Sequence, residues 1–163
     1  MAKSESSSTA LTTKVRHVLT EARVVLPGAQ ALLGFQLLTF LMEGFQDLPD
    51  WAKDIHLASL CLVVLSIIFL IAPAAYHRIV EQGEISERLH TIAGRFVIGA
   101  LVVLGVGLCG DFLVAVLKVT GSTALALTAA LLLLILEFAL WFGYSYYVRY
   151  RRERSPAGRH HAA

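Results

Sequence analysis

The stretch LASLCLVVLSIIFLIAPAAYHR, residues 57–78, decides the class of this chain. It carries no charge before His77, and as a helix of about 22 residues it rises ~33 Å at 1.5 Å per residue. A bilayer's hydrocarbon core is ~30 Å thick, so the length suits one membrane crossing. At its end the apolar run meets Pro73 and turns basic at His77 and Arg78, which reads as the exit of a span.

Three more stretches are nearly as bare of charge. Spans are expected at about residues 24–45, 57–78, 92–118 and 124–148. The whole chain agrees: 163 residues, 56% hydrophobic and 16% charged, with mean hydropathy +0.67, against about one quarter charged in soluble domains. Net charge is only +2, so a nucleic-acid surface has no support, and no separate soluble domain fits outside the spans. Cys61 and Cys109 both lie in apolar runs and read as core thiols.

Upstream, residues 1–8 are serine-rich and expected to be disordered. They lack the basic-then-apolar pattern of a cleavable signal, so the first span is expected to direct insertion. Over residues 9–23, Leu11, Val15, Val18 and Ala22 recur at helical spacing while Lys14, Arg16, His17 and Glu21 take other faces. That pattern predicts an amphipathic helix on the cytoplasmic membrane surface. Pro27 cannot donate to the carbonyl of Arg23, so a bend or break is expected where this helix gives way to span one.

Downstream, residues 46–54 form an acidic loop with Pro49 and an interfacial Trp51. Gly83 is a natural helix stop and Ser86 a natural N-cap. Span three is rich in small residues, among them Gly99, Gly105, Gly107 and Gly110, which predicts that it is the centre of helix packing. Span four is interrupted once, by Glu137, and closes on Trp141, Tyr144, Tyr146, Tyr147 and Tyr150, an aromatic belt ahead of the basic tail 149–163.

The 14 Lys and Arg residues sort sharply by side. Lys3, Lys14, Arg16, Arg23, Arg78, Arg88, Arg95, Arg149, Arg151, Arg152, Arg154 and Arg159 fall with the two termini and the middle loop; only Lys53 and Lys118 fall opposite. The bias predicts both termini in the cytoplasm and the acidic loop outside. The fold expected is therefore all-α, an antiparallel bundle of four transmembrane helices preceded by a surface helix.

Polar side chains within spans are the best functional pointers, since a charge at mid-depth costs ~2.5–3.5 kcal/mol on insertion scales. Gln36 and Glu137 lie near mid-span, Asp111 in the outer third of span three, and Glu43 near the outer end of span one. At ~100° per residue, Gln36 and Glu43 share one face of span one, and Arg23 and Gln30 share another. Glu137 shares a face with Ala130, Leu134, Trp141 and Tyr144; Asp111 shares one with Ala100, Leu104 and Gly107. Two readings stand. One is an ion or proton path from Glu43 and Asp111, past Gln36 and Glu137, to His77, Arg78, Arg23 and Arg95. The other is a packing clamp in which Glu137 bonds Gln36 or Tyr144, the inner basic residues meeting lipid phosphates.

Catalytic and metal signatures are missing: there is no G-x-S-x-G, H-E-x-x-H or C-x-x-C. Haem needs two inward histidines at equal depth, and His56 and His77 stand at opposite ends of span two. No enzyme activity, cofactor or metal is expected.

Two motifs occur together: Glu21-Ala22-Arg23-Val24-Val25-Leu26-Pro27-Gly28-Ala29-Gln30, and Ile71-Ala72-Pro73-Ala74-Ala75-Tyr76-His77-Arg78. Over roughly residues 21–111 the chain resembles a family of small bacterial four-helix membrane proteins known only as a domain of unknown function. The resemblance implies a bacterial inner-membrane address and makes Arg23, Gly28, Gln30, Pro73, His77 and Arg78 characteristic positions; it implies no activity. Partners expected are the lipid bilayer and either a second copy or another membrane protein. The two motif segments are expected to lie side by side at the cytoplasmic level.

Overall fold

The computed structural model describes residues 2–80 and 86–154. Its elements are all helical: α1 (Ala2–Thr39), α2 (Glu43–Gln46), α3 (Asp50–Ile79), α4 (Glu87–Thr120), α5 (Thr123–Phe138) and α6 (Tyr144–Arg154), with a wider π-helical turn over Ala139–Gly143 joining the last two. Local chemistry sets the ends. Ser86 caps α4 by accepting from the Leu89 amide at 3.0 Å, as its sequence context predicts. Gly121, at φ 66°, closes the same helix by donating to the carbonyl of Leu117, a left-handed position that glycine adopts without steric cost. Ser122 then caps α5.

Three helices are long and apolar enough to cross a membrane: Asp50–Ile79, Glu87–Thr120 and Thr123–Arg151. Their surfaces carry the apolarity outward. On α3 the buried positions are Ala52, His56, Ser59, Val63, Ser66, Leu70 and Pro73, a 3–4 spacing that marks one helix face. Small and polar residues dominate it, while Leu57, Ile68 and Ile71 point out. On α5 only Ala126, Ala130 and Glu137 are buried, and Leu131 and Leu132 stand 57% and 63% exposed. Water penalises such a surface and hydrocarbon does not. The chain is built as a membrane protein.

α4 is the central helix, packing against α1, α3 and α5. Its glycines permit the approach: a Cβ on Gly107 would stand 3.1 Å from the Ser59 carbonyl oxygen and 3.3 Å from Leu62 Cβ. Two apolar clusters lie toward its ends. Phe45, Leu48, Ala52, Leu113, Val114, Leu117, Ala126 and Ala130 form one; Ala22, Leu70, Val97 and Ala100, with Val18, Val25, Leu26 and Phe69 against them, form the other.

The N-terminal third departs from expectation. Residues 2–8, expected to be disordered, are the first turns of α1. Residues 9–23 are not a separate surface helix: Val18 and Ala22, on the apolar face read from the sequence, pack against Leu70, Val97 and Ala100 instead. Nor does α1 break at Pro27, which lies inside it. The ring occupies an exposed position, so a missing donor there costs one hydrogen bond without a clash in the core. Span one, expected to reach residue 45, ends as a helix at Thr39, where the Leu41 and Met42 amides turn back onto Leu38 and Thr39. Pro27, Gln30 and Gln36 also dilute its apolar stretch, and α1 is not among the three helices above. Gly83, Glu81, Glu84 and the tail 155–163 lie outside the described residues.

The first motif packs against the helix that carries the second. Ala22, Val25 and Leu26 of α1 share a cluster with Leu70, one turn before Pro73. The first motif contributes its apolar members to that cluster, whereas Arg23 and Gln30 are exposed.

Candidate functional site

Three helices each bring one polar side chain to a common point. Gln36, near the C-terminal end of α1, is 2% exposed, and His56, in the second turn of α3, is 4% exposed. Asp111 of α4 completes the group. Gln36 Nε2 donates to Asp111 Oδ2. His56 Nδ1 stands 3.0 Å from Asp111 Oδ1, and His56 Nε2 stands 3.1 Å from the main-chain oxygen of Gln36. The rings of Phe40 and Phe45 pack edge-on or tilted against the imidazole and fix its plane.

Hydrogen-bond chemistry assigns the protons. A main-chain carbonyl only accepts, so His56 Nε2 carries a hydrogen. Nδ1 and a carboxylate oxygen would each present a lone pair at 3.0 Å and repel. One proton therefore lies between His56 and Asp111, either as imidazolium facing carboxylate or as neutral imidazole facing carboxylic acid. The amide orientation of Gln36 follows too, because only its nitrogen can donate to Asp111. Its other atom, Oε1, is buried without a hydrogen-bond partner among the described residues.

These three residues line a cavity of about 330 Å³. Leu32 and Phe35 of α1, Phe45 and Leu48 of the α2 region, and Val114 and Ala115 of α4 supply its apolar walls. Lys118 stands at the more exposed side, its side chain 45% exposed and 3.5 Å from Asp47. The volume is at the lower end of the range for small-molecule sites, which are mostly apolar with a few convergent polar groups.

Of the residues singled out in the sequence, only Gln36 and Asp111 come together here. Glu43 is exposed at the start of α2. Glu137 is 7% exposed but meets neither Gln36 nor Tyr144. Its Oε2 accepts from Cys109 Sγ at 3.4 Å, and a Cβ on Gly105 would stand 3.1 Å from the same oxygen. Cys109 and Asp111 are two residues apart, ~200° around a helix, so Glu137 and Asp111 flank α4 on different sides. Arg23, Pro27, Gly28 and Gln30 lie exposed on α1, Arg78 and Arg95 are exposed, His77 is half-buried and Pro73 is buried. They form no continuous row with the carboxylates.

His56 is the residue that the sequence reading passed over, having weighed it only as a haem ligand. A signal existed: His56 falls in register with Ser59, Val63 and Ser66, and polar or small residues on one face of an otherwise apolar span mark the face turned inward.

The family of unknown function DUF6328 matches residues 4–145. The chain belongs to that family. The match takes in α1 to α5 and the π turn, hence the whole Gln36, His56 and Asp111 site of this DUF6328 chain, and ends within α6. No curated protein and no solved structure matches it.

Proposed function

We propose that this chain is a non-enzymatic protein of a bacterial inner membrane whose task is to hold a small, largely apolar molecule in the cavity beside Gln36, His56 and Asp111. The observation that carries the reading is the combination at one place of apolar walls with three convergent polar side chains. In this reading the chain acts as a binding protein.

The finer architecture belongs to the same proposal: four membrane-spanning helices, antiparallel, with both termini in the cytoplasm. Paired contacts support the antiparallel order, since Gln36 meets His56 while Ala22 meets Leu70, and Gly107 meets Ser59 while Gly99 meets Phe69. The split of 12 cationic residues against Lys53 and Lys118 supports the orientation, in which the cavity faces outward. A conducting path through Gln36 and Glu137 loses its geometric basis, because the two side chains have different partners on different sides of α4.

The test is occupancy of the cavity. In detergent, 2-phenylethanol should raise the unfolding temperature of the wild-type protein and leave that of Ala115→Phe unchanged, since a phenyl ring at 115 fills the space from its wall. Equal response of the two proteins, or none in either, would refute cavity binding.

A further inference from the structure

α1 differs from the three apolar helices in what it turns outward. Its buried residues recur at every seventh position, Val15, Ala22, Ala29 and Gln36, a repeat that holds one face against α3 and α4. Pro27, Gln30, Gly34 and Leu37 follow one another at steps of three and four, about 120° around the helix from that face, and all four are exposed. No described atom stands within 4 Å of a Cβ built on Gly34. The Gln30 side chain makes no hydrogen bond within the described residues.

The contacts of its neighbours set the level of Gln30. His56 meets the Gln36 carbonyl oxygen and Ala22 shares a cluster with Leu70, so Gln30 lies about level with Leu62 on α3. The nearest charges of α3 are Asp54, ~12 Å away along the axis, and Arg78, ~24 Å away on the other side. A carboxamide at that level faces lipid tails, which offer neither donor nor acceptor. Membrane helices satisfy such groups by pairing them across helices. The amide is its own complement, since the N–H of one glutamine donates to the carbonyl of another. Two copies inserted the same way are related by a two-fold axis along the membrane normal, and that axis sets a residue lying on it against itself. Arg23, on the same side, extends back along α1 toward its N-terminus and the headgroups, which keeps its charge off the axis.

We infer that the Pro27, Gln30, Gly34 and Leu37 side of α1 is the interface of a two-fold dimer of this chain, with the two Gln30 amides hydrogen-bonded to each other at the axis. The inference rests on α1 crossing the membrane, as proposed above. It is independent of the cavity, because Leu32 on the cavity lining and Gly34 at the interface stand ~200° apart around α1.

The experiment uses the full chain with Cys61→Ala as background, in phosphatidylcholine vesicles, oxidised with copper phenanthroline and run on non-reducing SDS gels. Gln30→Cys and Leu37→Cys should each give a covalent dimer of the 17.8 kDa chain, whereas Phe35→Cys and the background should give little. Energy transfer between labelled copies diluted in lipid should show Gln30→Asn, which keeps the amide, dimerising like wild type, and Gln30→Leu about tenfold more weakly. Equal cross-linking at 30 and 35 would overturn the assigned face, and undiminished dimerisation of Gln30→Leu would overturn the role of the amide. Oxidation in native membranes that joins Gln30→Cys to a different chain and never to itself would overturn the second copy as partner. If neither cross-link nor energy transfer is seen, a membrane-impermeant maleimide separates the two failures. Gln30→Cys left unlabelled means that the dimer alone is wrong; labelled Gln30→Cys means that the residue stands in water and that the spanning of α1 is wrong as well.

Discussion

Substitution at Asp111 distinguishes what the buried network requires from what it merely contains. Asparagine at this position satisfies both neighbours: its Oδ1 accepts from Gln36 Nε2, and its amide N–H donates to His56 Nδ1 with the imidazole hydrogen kept on Nε2 toward the Gln36 carbonyl. Leucine, of similar size, satisfies neither, and strands an amide donor and an imidazole nitrogen on residues that are 2% and 4% exposed. Each unpaired buried group costs ~1–3 kcal/mol, or ~2–6 for the two, and burial of the leucine side chain returns ~1.5–3. The net expectation is a loss of roughly 1–3 kcal/mol for Asp111→Leu and less than ~1 kcal/mol for Asp111→Asn. Unfolding by SDS titration in mixed micelles, followed by helical circular dichroism, reads both. Adding Gln36→Leu to Asp111→Leu should cost less than Gln36→Leu alone, because the partner it strands is already gone. A leucine variant as stable as wild type, or an asparagine variant as damaged as leucine, would show that donor and acceptor pairing is not what holds these three helices in register.

Two further expectations follow from packing. Gly107→Ala places a methyl 3.1 Å from a main-chain oxygen of α3, which cannot yield without moving the helix, whereas Gly28→Ala meets nothing within 4 Å. The first should destabilise by about 1–2 kcal/mol after the helix-propensity gain and the second should stabilise by up to ~1 kcal/mol; the same sign for both in the SDS titration would refute the packing assignment. Cys61 is exposed and Cys109 is buried against Glu137, so N-ethylmaleimide should add once to the detergent-solubilised native protein and twice after unfolding, as read by intact mass. Two adducts on the native protein would contradict the placement of Cys109.

The spans at α3, α4 and α5 were legible because long apolar runs with capped ends have few alternatives. Ser86 is read as a cap from residue type alone, and the glycines of α4 announce its central place. α1 was misread where local and tertiary forces disagree. Pro27 is a strong local signal for a break, but its ring faces outward while Ala22, Val25, Leu26 and Ala29 hold a continuous inward face on either side of it. Tertiary packing of that face outweighs one absent hydrogen bond. The apolar face of residues 9–23 was correctly located; its partner, protein rather than headgroups, is not encoded in the periodicity of a single helix.

The candidate site was half legible for a related reason. Helical phase gives the angular position of a side chain on its own helix and says nothing about which neighbouring helix faces it. Gln36 and Glu137 both sit near mid-span by residue count, which made them natural partners on paper. Count, however, is measured from ends that the structure moves: α1 stops at Thr39, so Gln36 lies one turn from its end and level with the second turn of α3 and the C-terminal third of α4. That level selects His56 and Asp111. Glu137, across α4, is left to Cys109, a weak donor. The two carboxyls therefore have different surroundings: Asp111 pairs with Gln36 and His56 on the lining of a cavity, while Glu137 is packed among Gly105, Cys109 and Trp141. Glu137 thus ties α5 to α4 through Cys109 and the space left by Gly105, on a side of α4 other than the one that Asp111 presents to Gln36 and His56.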